Sequence, residues 1–218
     1  MVLKWMMAGL VLVCALVTGR AEEPEEGNGR PAMLEMGELG DLEKLGEGRR
    51  RLVEVALAVG NESPWLKYVD GSADPARGGF DCSGAMFFVM EKAGLKPPRS
   101  SAGQWEWLKT NGRLRWVPAE AEDAGDASLA ELKPGDLLFW AVMEADGVTK
   151  RIHHVAMYLG KEKKDGRAVM INSTDGRSYR GTKANGYGVY DFRVPKAESK
   201  SKLVGYGTPP GVEEGDGG

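Results

Sequence analysis

Cysteine is nearly missing from this chain: Cys14 and Cys82 are the only two in 218 residues. Cys14 lies in the apolar N-terminal run, so a disulfide framework is excluded for the rest. Histidine is equally scarce, with only the adjacent pair His153 and His154. One remaining cysteine and two neighbouring histidines are too few for a structural zinc site, and neither a metal nor another cofactor is expected. Positive charge is not in excess either. The formal net charge is −3, which gives no basic footprint for nucleic acid. Apart from the N-terminus, no run is long and apolar enough to span a bilayer, which takes roughly 20 residues.

What the N-terminus does contain is Lys4, an uncharged apolar stretch from Trp5 to Val17, and small residues at Gly19 and Ala21 before an acidic segment. That is the pattern of a secretory signal peptide over residues 1–21. It implies export to the periplasm or cell exterior, with no membrane association after cleavage. Residues 22–48, rich in Glu and Gly, read as a flexible spacer. Residues 49–208 read as one domain expected to act as a monomer, and residues 209–218 as a disordered tail.

Within the domain the hydrophobic period changes once. Leu52, Val53, Ala56 and Leu57 are spaced as one helical face that Gly60 ends. Met86, Phe87, Val89, Met90 and Ala93 mark a second helix, with Gly94 at its C′ position. The stretch "SSAGQWEWLKTNG" reads as a third. Strand candidates follow, in "LKPGDLLFWAVM", "RIHHVAMYLG", "RAVMINST", "YGVYDFRV" and, as a last edge strand, "LVGYGTPP". Helices first and strands after imply an α+β fold on a mainly antiparallel sheet.

Export makes an unpaired Cys82 informative, because such a thiol is a reactive group, an intermolecular linker or an inert core residue. A free thiol ionises near ~8.5, and a helix N-terminus or an imidazolium lowers that value. Asp81-Cys82-Ser83 opens the second helix, so the first device is in place. The second must come from His153 or His154, and the expected result is a thiol that iodoacetamide modifies well below about pH 8. Asn172, on the next strand, can accept a ring N–H and orient the imidazole. Each residue also has a plain structural role open to it: Cys82 as a small core side chain, Asp81 as a helix N-cap, His154 as a strand-end histidine, Asn172 as a turn residue.

The ordered pieces "GGFDCSGAMFFVMEKAGL", "PPRSSAGQ", "LKPGDLLFW", "HHVAMYLG" and "VMINST" resemble the NlpC/P60 cysteine peptidases of bacterial cell walls. The resemblance covers about Arg49 to Gly207 and implies a papain-like α+β fold. By the same resemblance Cys82 is the nucleophile, His154 the base and Asn172 the third polar residue, and the substrate is a peptidoglycan stem peptide cut at the γ-D-glutamyl–diaminopimelate bond. Strand alternation agrees on the histidine. His153 should share a face with Val155, Met157 and Leu159, and His154 with Ala156 and Tyr158.

The resemblance further implies that Asp81 and Ser83 bind a free amine of the stem, with Tyr68, Arg99 and Ser100 as weaker cleft candidates. Asp81 would combine this with N-capping through its other oxygen. Ser101 and Gln104 read as cap or surface positions. The third residue is often His in that family and is Asn172 here. The turn "YVDGSADPARGG" lacks the usual Trp and paired Gly, and no separate wall-binding module is visible. Three readings stay open: the endopeptidase, an N-acetylmuramoyl-L-alanine amidase or acyltransferase on the same scaffold, and a non-catalytic wall-binding protein.

Overall fold

Helix α1, Glu47–Asn61, forms where the apolar spacing places Leu52, Val53, Ala56 and Leu57 on one buried stripe. It belongs to a computed structural model that describes residues 29–40, 42–143, 150–196 and 198–212. The expected signal peptide therefore lies outside the described residues, among which no helix is long and apolar enough to cross a membrane. Helices α2, Cys82–Lys92, and α3, Ser101–Thr110, follow. Gly94 takes the left-handed conformation just past α2, as its C′ position requires.

Between α1 and α2 two short strands, β1 (Lys67–Tyr68) and β2 (Gly79–Phe80), pair in parallel. The rest is mostly sheet: β3 (Leu114–Trp116), β4 (Leu137–Met143), β5 (Lys150–Lys161), β6 (Ala168–Thr174), a small β7–β8 hairpin (Ser178–Tyr179, Thr182–Lys183), β9 (Gly186–Asp191) and β10 (Ser201–Gly207). Six of these strands form one sheet in the order β3-β10-β4-β5-β6-β9, with every pair antiparallel. This is the α+β arrangement expected. One strand differs: β10 is not an edge, because β3 pairs along its outer side.

Both faces of the sheet are covered, so its strands alternate between two cores. Val155, Met157, Leu159, Val169 and Ile171 pack under the helices. Leu138, Trp140, Ala156, Tyr158, Met170 and Tyr190 pack on the opposite side, beneath Val117, Leu129 and Phe192.

Residues 29–40 and 42–48 of the segment expected as a mobile spacer are packed against the domain. Leu34, Leu39 and Leu42 are buried, and Ala32 bridges Val189 of β9. Met33, Met36 and Leu45 pack against the core beside these leucines and help to dock it. Residues 209–212 also belong to the fold, with Val212 buried.

The Pro134-Gly135-Asp136 turn is tied to α1. Buried Asp136 pairs with Arg49 at 2.8 Å and accepts from Thr208 at 3.0 Å. Arg49 also reaches Thr208 and the Pro134 carbonyl. This network fixes the start of β4, and hence the strand that carries Trp140.

Candidate active site

Asp81 sets the N-terminus of α2. Its Oδ1 accepts from the Gly84 amide at 2.6 Å, a side-chain N-cap. The Asp81 amide donates to the Ser72 carbonyl at 2.9 Å. A Cβ at position 84 would lie 2.0 Å from that same oxygen, which accounts for glycine two residues after Cys82. Cys82 is thus the first residue of a helix whose start is clamped from two sides.

The thiol meets strand β5 where the sheet opens. The β5–β6 ladder runs from Lys161–Ala168 to Met157–Ile171 and goes no further. Beyond it the backbone of residues 153–155 is free of β6. Cys82 Sγ enters that gap, 3.9 Å from the His153 carbonyl and beside the Val155 amide.

A β-bulge lies at the same place. Trp140 pairs with His154 but Ala141 pairs with Ile152, so His153 is an extra residue. The simple alternation expected for the two histidines therefore fails at one of them. His154 stands on the face of Trp140, Ala156 and Tyr158, as expected. His153 does not join Val155, Met157 and Leu159 in the core. It is exposed, with Nε2 2.8 Å from Ser201 Oγ and its ring centroid 6.4 Å from that of His154.

Asn172 Nδ2 is placed 2.7 Å from His154 Nε2, and Asn172 Oδ1 is buried without a partner. Exchanging the amide oxygen and nitrogen, which are alike in shape, gives the orphaned oxygen an N–H to accept. Either way Nε2 belongs to Asn172, and Nδ1 is the ring nitrogen that Asn172 leaves open. No hydrogen bond joins the thiol to the His154 ring among the described residues. Trp140 holds the other side of the imidazole, edge to face at 5.4 Å.

The ionisation of the pair differs from the sequence expectation. Burial pushes the Cys82 thiol up, and the amides of Val155 and Ser83 only partly offset it. Burial, with Arg177 and His153 adding to it, holds His154 well below 6.5. Both directions favour the uncharged forms, a neutral thiol and a neutral imidazole.

The remaining sequence-predicted residues divide. Arg99 forks onto Asp81, with Nη2 to Oδ2 at 2.7 Å and Nη1 to Oδ1 at 3.1 Å, and also reaches Ser83 Oγ at 3.0 Å. Burial pushes the Asp81 carboxyl up, but Arg99, the Gly84 amide and Ser83 together bring it below the usual value. Both Asp81 oxygens are therefore engaged, and an incoming amine would have to share them with Arg99. The Tyr68 hydroxyl is raised to about 12 by burial and by Cys82, Asp70 and Asp81, which puts it near the thiol. Ser100 caps α3 through the Gly103 amide. Gln104 is buried, not on the surface, and donates to the Ser83 and Pro98 carbonyls.

Arg177 was not singled out by sequence. It follows β6 in a connection with no recognisable motif, and its guanidinium lies over the Trp140 ring, 4.4 Å from the centroid.

The NlpC/P60 family model matches residues 65–190, more than half of the chain. The chain is 33% identical over 98 residues to the gamma-D-glutamyl-L-lysine dipeptidyl-peptidase of Bacillus subtilis (strain 168), which covers 43% of this chain and 27% of that protein. A lipoprotein-like NLP/P60 family protein of Staphylococcus aureus Mu50 superposes with a TM-score of 0.44 at 22% identity, over 82% of this chain and 43% of that one. An NlpC/P60 family protein of Bacillus cereus ATCC 10987 gives 0.43 at 24%, over 72% and 40%. The chain spans about a quarter of its curated relative and about two fifths of these solved structures. The matched region runs from the residues just before Tyr68, through Cys82 and His154, to the end of the strand beside Asn172, and the chain belongs to the NlpC/P60 family.

Proposed function

We propose that this protein is an exported cysteine endopeptidase that hydrolyses peptidoglycan stem peptides on the carboxyl side of a γ-D-glutamyl residue, acting as a monomer. The observation that carries this reading is the grouping at the β5 bulge. A helix-start thiol enters the gap beside His153–Val155, and the adjacent His154 has one ring nitrogen held by Asn172 at 2.7 Å. The B. subtilis relative, named for a γ-D-glutamyl bond, supports the choice of bond.

In this reading the neutral His154 takes the thiol proton as the sulfur adds to the γ-carbonyl carbon. Of the first-turn amides of α2, Gly84 is held by Asp81, and those of Cys82 and Ser83 are left to stabilise the developing oxyanion. Collapse breaks the C–N bond, and the leaving amine takes the proton from His154. Water then attacks the thioester, gives its proton to His154, and the thiol is regenerated with a free γ-carboxylate. Asn172 keeps the ring in line through both halves.

Digestion of purified muropeptides, followed by mass analysis, tests the proposal. The expected products are an L-Ala-γ-D-Glu fragment and a peptide with a new amino terminus on the third stem residue, both absent with Cys82→Ala. Release of intact stems from the glycan would instead identify an amidase. Binding without any product would identify a wall-binding protein.

A further inference from the structure

Arg177 is a cation without a counter-ion among the described residues. Its guanidinium makes no hydrogen bond and no ion pair with them, and it lies over the face of Trp140. The Tyr190 hydroxyl, which lies close enough to interact with it, donates to the Gly186 carbonyl and makes no hydrogen bond to Arg177. The Trp140 indole N–H is itself buried without an acceptor, and His154 next to it is committed to Asn172. Elsewhere in this fold the arginines close to carboxylates are paired: Arg49 with Asp136, Arg99 with Asp81, Arg180 with Glu162 and Asp165, Arg167 and Arg193 with Asp191. Arg177 is held at the site and left open.

A guanidinium held over an indole face by a cation–π contact still has N–H groups to offer a planar, bidentate acceptor. We propose that Arg177 binds a carboxylate of the substrate and sets specificity for an acidic residue at the scissile bond. With the γ-glutamyl reading, on which this step rests, that group is the free α-carboxylate of the glutamyl residue whose γ-carbonyl Cys82 attacks. A stem in which that carboxylate is amidated offers no charge to Arg177 and is the poorer substrate.

The electrostatics agree with this placement. Burial draws the Arg177 guanidinium down to about 10, still a cation at neutral pH, and it is close enough to interact with Cys82 and to depress both histidines. A bound carboxylate would offset that depression at His154, so the right substrate also makes its base a better one.

Two measurements test the inference. In the first, wild type and Arg177→Gln are compared on matched peptides with a γ-D-glutamyl or a γ-D-isoglutaminyl residue before the cut. Wild type should favour the carboxylate by about 10- to 100-fold in kcat/KM, the range of a hydrogen bond to a charged group. Arg177→Gln should lose that preference by slowing on the acid alone. Equal wild-type rates, or equal losses on both peptides, would overturn it.

The second needs no peptidase activity. Cys82 is alkylated with iodoacetate and with iodoacetamide, and the modification is read at that residue by mass spectrometry. The ratio of the two rates should fall several-fold in Arg177→Gln and be partly kept in Arg177→Lys, with melting temperature as the fold control. An unchanged ratio would overturn the anion site. If wild type cleaves neither peptide, the γ-glutamyl reading fails and this ratio alone decides Arg177.

Discussion

The side-chain amide of Asn172 meets Nε2 of His154 at 2.7 Å across the opening between β5 and β6. The contact leaves Nδ1 as the nitrogen that can serve Cys82. An uncharged orienting group fixes the ring without sharing its proton. Asn172→Ala should therefore keep measurable turnover, about 10- to 100-fold below wild type, whereas His154→Ala should lose several orders of magnitude in kcat. Asn172→His should be tolerated. Steady-state kinetics on one muropeptide ranks the three variants, and equal losses in Asn172→Ala and His154→Ala would remove the orienting role.

The bulge separates the two histidines by chemistry and not by face. His153 is exposed and occupied with Ser201. His153→Ala should leave most activity, and Ser201→Ala should behave like it. A loss in His153→Ala as deep as that in His154→Ala would show that the bulge lies one residue away.

The proton arrangement predicts a pH profile. His154 is neutral down to well below pH 6.5, and the Cys82 thiol is protonated through neutrality. The acid limb of kcat/KM should fall well below 6.5. Alkylation of Cys82 by iodoacetamide in the free enzyme should rise about tenfold per pH unit from pH 7 toward 9. A rate already level below pH 7 would indicate a preformed thiolate–imidazolium pair. Arg177 is one cause of the low His154 value, so Arg177→Gln should raise the imidazole pKa in an NMR titration.

Stability depends on the same histidines. Both have folded pKa values below 6.5, so the unfolded chain takes up their protons first. Folding stability should fall as pH drops below 6.5 and stop falling, for these groups, below their folded pKa values. At neutral pH the buried Arg49–Asp136 pair matters more. Arg49→Met leaves Asp136 buried and unpaired and should destabilise by about 3–5 kcal/mol in denaturant unfolding.

Much of this was legible locally. The stripe from Leu52 to Leu57, the helix start at Cys82 and the Gly94 stop are short-range signals of spacing and capping, and they appear where expected. The pairing of His154 with Asn172 was legible through the resemblance to the NlpC/P60 motifs, and alternation placed His154 but not His153. The bulge at His153 was not legible, because it is a mismatch of register between β4 and β5 and leaves no trace in either strand alone. Docking of residues 29–40 and 42–46 rests on a few apolar side chains in a segment whose average composition hides them. The upward shift of Cys82 comes from burial by residues distant in sequence, which outweighs the helix start that pointed the other way. Arg177 acquires meaning only when Trp140, thirty-seven positions earlier, is brought beneath it.

The central claim is that Cys82 attacks the γ-glutamyl carbonyl, and the covalent intermediate tests it most directly. The protein is mixed with a saturating stem peptide, quenched in acid within the first turnover, and analysed by intact and peptide mass spectrometry. The account predicts an L-Ala-γ-D-Glu acyl group on Cys82 that disappears as product forms. Product appearing with Cys82 unmodified throughout, or formed at the wild-type rate by Cys82→Ala, would contradict it.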